Sequence, residues 1–109
     1  MSYNNGMLQI VKTEDYAEWF ARLRDKKAKD IILARLRRVE LGNFGDCEPI
    51  GEGVSEMRIH FGPGYRIYTM RQGIEIVILL AGGDKSTQQR DITSALAMAR
   101  ALKESDHGH

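Results

Sequence analysis

Residues 55–81 read SEMRIHFGPGYRIYTMRQGIEIVILLA, and the reading of this stretch decides the fold. From Ser55 to Phe61 apolar and polar residues alternate, with Met57, Ile59 and Phe61 on one side and Glu56, Arg58 and His60 on the other. A period of two marks a half-buried strand. Gly62-Pro63-Gly64 supplies a turn, Tyr65 to Arg71 the next strand, and Gln72-Gly73 a second turn. Ile74 to Ala81 is apolar on both faces, the composition of a central strand. Three antiparallel strands in sequence make a meander.

Upstream, Leu8, Ile10 and Val11 predict a first strand that runs into Lys12. Thr13 then suits a helix N-cap, with Glu14 and Asp15 in the first turn, where the helix dipole favours acids. Tyr16, Trp19, Phe20 and Leu23 fall at helical spacing, and core packing accounts for these aromatics. A second helix spans Lys26 to Leu41, with Ala28, Ile32, Leu36 and Val39 inward and Gly42-Asn43 as its stop. Only a residue or two around Arg24–Asp25 separates the helices, so they form a helical hairpin. Downstream, Gly82 to Lys85 reads as a loop and Ser86-x-x-Gln89 as a capping box. The last helix carries Ile92, Ala95, Leu96, Ala99 and Leu102 along one stripe. Residues 1–6 and 105–109 read as loose tails. The order is β-α-α-β-β-β-α, with room for a further short strand near Cys47 to Ile50, and the class is α+β.

A chain of 109 residues suits one domain, here residues 1–109, with no space for an internal cofactor cavity. The longest apolar run, Ile76 to Ala81, is far too short to cross a bilayer. No leader-like segment opens the chain, and Cys47 has no partner for a disulfide or a cysteine zinc site. Cytoplasm is the expected location. The net charge of +1 conceals a basic block from Arg22 to Arg38, where Lys26, Lys27, Lys29, Arg35 and Arg38 lie among few acids. Such a block is either a solvated helix face or a surface for a polyanion.

Gly82-Gly83-Asp84-Lys85-Ser86-Thr87 resembles a phosphate loop, but Asp84 precedes the lysine and Leu79 occupies the place of the first glycine. A nucleotide-hydrolysing P-loop is therefore rejected, and Lys85 remains as a basic group beside a helix N-terminus. Glu56, Arg58 and His60 project side by side from one strand face. Histidine suits proton transfer at neutral pH, and arginine forks onto phosphate. The plain alternative is a solvated polar face with Glu56–Arg58 as a weak surface pair. If Arg66 and Tyr68 share that face, it becomes a cationic platform for a nucleic-acid backbone and a stacked base. His107 and His109 read as incidental tail residues, and no metal or other cofactor is expected.

Together, residues 55–68, the strand from Ile76 to Ala81 and Gly82-Gly83-Asp84-Lys85-Ser86-Thr87-Gln88 resemble the phage-derived "addiction module killer" branch of the RelE/ParE toxin superfamily. The shared pattern is E-[LM]-R-I, a glycine turn, G-Y-R-[VI]-Y, then L-L-x-G-G-D-K-S-T-Q. The resemblance covers Leu8 to Lys103. It implies a RelE-like fold, in which an N-terminal helical hairpin packs on one face of a small, mostly antiparallel sheet and the opposite face carries the site.

The resemblance further implies a toxin of a type II toxin–antitoxin pair, acting as a metal-independent endoribonuclease on ribosome-bound mRNA and so inhibiting translation. Arg66 matches the strand arginine aimed at the scissile phosphate. Arg58 and His60 fall near other basic strand positions, and Lys85 near a second basic group. Arg66 and Arg58 are expected to hold the phosphate, His60 to move the proton, Glu56 to orient it or act as base, and Lys85 to stabilise the leaving oxygen. Lys26, Lys27, Lys29, Arg35, Arg38 and Tyr68 are the expected RNA-binding residues. The expected partners are a helix-turn-helix antitoxin, the ribosome and mRNA, with a homodimer or a toxin–antitoxin hetero-oligomer as the assembly and no membrane. Two other readings stand beside this one. The last tyrosine is Tyr68, where several such nucleases carry one near the C-terminus, and this favours a ParE-like gyrase poison. The low net charge favours a non-catalytic homologue that acts by binding its antitoxin and regulating the operon.

Overall fold

The computed structural model describes residues 6–107. The elements run β1 (Gln9–Lys12), α1 (Glu14–Arg22), α2 (Lys26–Glu40), β2 (Cys47–Gly51), β3 (Val54–Ile59), β4 (Tyr65–Gln72), β5 (Ile76–Asp84), a 3-10 turn (Lys85–Thr87) and α3 (Gln88–His107). The strands form one five-stranded mixed sheet in the order β1-β5-β4-β3-β2. β1 lies parallel to β5, and the other pairs are antiparallel. The class is α+β. The short strand near Cys47 is present, as β2.

Local signals set the helix ends. Thr13 Oγ1 accepts from Tyr16 N at 3.1 Å, and the Asp25 carboxylate accepts from Lys27 N and Ala28 N at 3.0 and 3.2 Å. Each cap satisfies donors that the first helical turn leaves open. Thr13 does more than cap: its hydroxyl donates to Leu80 O at 2.7 Å and its N–H to Leu79 O at 3.1 Å, tying the start of α1 to β5.

The sheet separates two apolar clusters. Tyr16, Ile32, Leu36 and Val39 from α1 and α2 pack on Met57, Ile59, Ile67, Val77 and Leu79. On the other face Ala95 and Ala99 of α3 pack on Val54, Tyr68, Met70, Ile78 and Leu80. The face expected to stand open is thus largely roofed by α3, whose far end is held by the Arg100–Glu52 ion pair at 3.1 Å. What stays open is the end beyond α3, around Arg58, His60 and Arg66.

Four boundaries differ from expectation. β5 runs on through Gly82 and Gly83 to Asp84, where a loop was expected, because these residues pair in register with Ile67, Arg66 and Tyr65. The glycines there are a packing requirement. A Cβ on Gly82 would overlap the Trp19 ring, and one on Gly83 the Asp91 carboxylate. The cap of the last helical segment is Asp84, not Ser86: its carboxylate accepts from Ser86 N at 2.8 Å. His60 and Phe61 fall just past the end of β3. Finally, α3 continues to His107, so residues 105–107 extend it, while Met1–Asn5 and Gly108–His109 lie outside the described residues.

Since the Trp19 ring occupies the space a methyl group would need, Gly82→Ala is expected to lower the unfolding free energy by about 2 kcal/mol. Chemical denaturation of the two proteins side by side checks this, and an unchanged midpoint would contradict the packing described.

Candidate anion-binding cleft

Strands β3 and β4 set Arg58 directly opposite Arg66 and Glu56 opposite Tyr68, all four on the α3 side of the sheet. The shared face expected of these residues is present. Their burial, however, splits them into two groups.

Glu56 and Tyr68 lie beneath α3 and are almost wholly buried. The Glu56 carboxylate accepts from Tyr68 Oη at 3.1 Å, Gln88 Nε2 at 2.9 Å and Arg58 Nε at 3.3 Å. Arg66 Nε stands 3.6 Å away. Burial, then the neighbouring carboxylate, pushes the Tyr68 phenol well above its usual range, so it stays protonated and donates. Tyr68 is not an RNA-stacking surface as expected, because α3 covers it. Glu56 does not touch the exposed His60 as a base or orienting group; its oxygens are committed to Tyr68, Gln88 and the two arginines.

Arg66 is the arginine that lines the open cleft. Its side chain is only 13% exposed, its Nη1 donates to Gly64 O at 2.7 Å, and its buried Nε has no hydrogen-bond partner. It forms the floor of a cleft of about 410 Å³ walled by His60, Phe61, the Gly62-Pro63-Gly64 turn and Lys85. Gly62 and Gly64 both have positive φ, a conformation that favours glycine, so Pro63 is the one residue of this turn with a side chain. The structure therefore brings Arg66, Lys85 and His60 together.

Arg58 is drawn off to one side. It pairs with Glu48, with Glu56 at 3.3 Å and with Asp46 at 3.7 Å. The Glu48 hydrogen bond, then that to Glu56, raises its pKa further. A free phosphate fork at Arg58 is thus corrected: three carboxylates already surround it. His60 Nε2 lies 2.5 Å from Asp46 Oδ2. With Nε2 donating to Asp46, Nδ1 is the nitrogen left for other chemistry. That hydrogen bond, followed by the charge of Arg58, holds Asp46 below the usual carboxylate value of 3.8.

The basic block does not form one surface. Lys27 sits at the cleft rim, its Nζ 5.8 Å from the Phe61 ring centre, and Lys26 beside it is exposed. Lys29 lies over Phe20 at 5.3 Å. Arg38 is exposed at the far end of α2, about 18 Å along the axis from Lys26. Arg35 is not available to RNA as expected: its guanidinium donates to Arg58 O at 2.7 Å and Phe44 O at 2.9 Å, stapling α2 to the sheet. Burial, then Arg38, lowers its pKa.

No protein-family model matches the chain. An uncharacterized protein of Haemophilus influenzae is 44% identical over 95 residues, spanning 87% of this chain and 96% of the relative. The two proteins belong to one family. The match covers most of both chains.

Sequence reasoning missed Asp46, Glu48 and Gln88. Asp46 precedes β2, Glu48 lies in a strand only five residues long, and Gln88 opens α3, so no periodic pattern marks them. Only the folded sheet brings them to Arg58, His60 and Glu56.

Two expected outcomes test these contacts. Glu56→Ala leaves Arg58 and Arg66 opposite each other with no buried counter-charge, and is expected to lower stability by about 3 kcal/mol in denaturant unfolding. Asp46 has a depressed folded pKa, so its contribution is complete above pH 3.8 and is lost as pH falls through the folded value. The stability gap between wild type and Asp46→Asn is therefore expected to narrow on acidification below about pH 4. A gap that widens there would contradict the assignment.

Proposed function

We propose that this chain is a cytoplasmic toxin of the RelE/ParE kind, with a RelE-like fold, and that it cleaves mRNA in the ribosomal decoding site. The observation that carries the reading is Arg66, held from behind by buried Glu56 and facing a glycine-walled cleft that also contains Lys85 and His60. A helical hairpin on one face of a five-stranded sheet also fits the expected fold.

Cleavage of this type uses the 2′-hydroxyl as nucleophile. Its oxygen bonds to phosphorus, its proton passes to a base, and the 5′-oxygen leaves with a proton from an acid. Arg66 and Lys85 offset the extra negative charge on the phosphoryl oxygens, the electrostatic contribution that is usually largest. His60, oriented by Asp46, takes the 2′-hydroxyl proton through Nδ1, and solvent water gives the departing 5′-oxygen its proton. Glu56 is a positioning residue acting through Arg66. Phe61, which lines the cleft, replaces Tyr68 as the ring available to a base. Lys26 and Lys27 extend the positive charge along the rim. A helix-turn-helix antitoxin is the partner, covering this cleft.

A second reading is a non-catalytic homologue that works by binding its antitoxin. It draws support from Arg58, whose guanidinium is taken up by Asp46, Glu48 and Glu56.

Inducible expression in bacteria, following growth together with primer extension on an abundant mRNA, separates these. Growth arrest with new in-frame breaks, reduced at least about 100-fold by Arg66→Ala in a folded protein, is the expected result. Arrest with intact mRNA points to a gyrase poison, and no arrest to the binding-only protein.

A further inference from the structure

The two edges of the sheet are built differently. β2, at one edge, carries Pro49 and an irregularity of register between Pro49 and Gly51, followed by Glu52 at φ 55°. Proline and a bulge are devices that prevent a further strand from adding. β1, at the other edge, has neither. Gln9 N and Thr13 N donate to Glu75 O and Leu79 O of the β5 side, so by alternation the backbone groups of Ile10 and Lys12 point outward.

Exposed apolar side chains lie near this edge on both faces of the sheet. Among the described residues the exposed large hydrophobics are Val11, Leu33, Leu41 and Ile74, between 46% and 83% exposed. Val11 is on β1. Leu33 lines the groove of about 300 Å³ between β1 and α2. Leu41 follows Glu40, whose carbonyl accepts from Leu8 N, and Ile74 precedes Glu75, whose carbonyl accepts from Gln9 N. Exposed apolar side chains beside the open segment from Ile10 to Lys12 mark an interaction surface.

We infer that this edge joins a second copy of the same chain, β1 against β1 in antiparallel register about a two-fold axis at Val11. The outward groups of Ile10 then bond those of the partner copy's residue 12, and the reverse, while the two Val11 side chains meet across the axis. Charge is what selects a second copy. Residues opposite each other across an antiparallel pair point to the same face. Each Lys12 therefore lands beside the other copy's Ile10, in the groove that Ile10 lines together with Glu40. Arg37 and the chain's own Lys12 line the same groove, with Glu40 as its carboxylate. The lysine that would otherwise guard the edge thus finds a carboxylate on the copy, and the surface complements itself.

The geometry dictates a mixing test. Lys12→Glu alone sets a new carboxylate against Glu40 of the other copy, and Glu40→Lys alone sets a new ammonium against its Lys12. Each variant is therefore expected to dimerise at least about tenfold more weakly than wild type. An equimolar mixture of the two has opposite charges at both contacts and is expected to regain the dimer. Sedimentation equilibrium reads the masses against the 12.3 kDa chain, and circular dichroism confirms that each variant is folded. Wild type at twice the chain mass, with loss in each single variant and recovery on mixing, supports the inference. A wild type that stays at one chain mass at every concentration overturns it, as does a dimer indifferent to residues 12 and 40, or one that the mixture fails to restore.

Discussion

A single buried carboxylate organises the open end of the sheet. Arg58 and Arg66 face each other on adjacent antiparallel strands, where like charges repel. Glu56 stands beside both, and its own burial is tolerable because Tyr68 and Gln88 also donate to it. The contact with Gln88 brings in α3, so that helix is fastened to the sheet by polar bonds at the cleft and by apolar packing farther along. Stability and site geometry share one group here. The charge that keeps two arginines compatible is also the one that fixes where Arg66 can reach.

The fold was legible wherever periodicity is strong. The alternation from Ser55 to Ile59 sorted the side chains of β3 correctly between its two faces, although α3 buries Glu56 on the face expected to stand outward, and the apolar stripes located all three helices. Local chemistry was legible too, in Thr13 as a cap and Arg24–Asp25 as the break between helices, a break that in the folded chain also takes in Leu23. Contacts between distant segments were not. Gly82 and Gly83 look like loop residues because glycine usually signals a turn. In the folded chain they are strand residues made small by Trp19 on one face and Asp91 on the other. Arg35 looked like one more exposed cation, and only tertiary structure shows its two carbonyl acceptors.

The same limit applied to the site. Placing Glu56, Arg58, Arg66 and Tyr68 on one face required only a period of two. Knowing which of them α3 would cover required its path over the sheet, which a stripe of Ile92, Ala95 and Ala99 does not specify. The consequence is a cleft smaller than the expected platform, with Arg66, Lys85 and His60 inside and Arg58 held by its own acids. The basic block likewise divides once wound into a helix, since residues at its two ends face different parts of the molecule.

The parallel pairing of β1 with β5 carries a further consequence, for the order in which the molecule is made. Thr13 and Leu80, joined by a hydrogen bond, are 67 residues apart. A chain emerging from the ribosome presents β1 and the helical hairpin long before the strand that completes their surroundings exists. Closing so long a loop is slow and offers no return until β5 arrives. Because β5 also pairs with β4 along the cleft, Lys85 cannot take its place beside Arg66 until residue 85 has been synthesised. The cleft therefore comes into being only after β5, and a chain cut short before Lys85 lacks it.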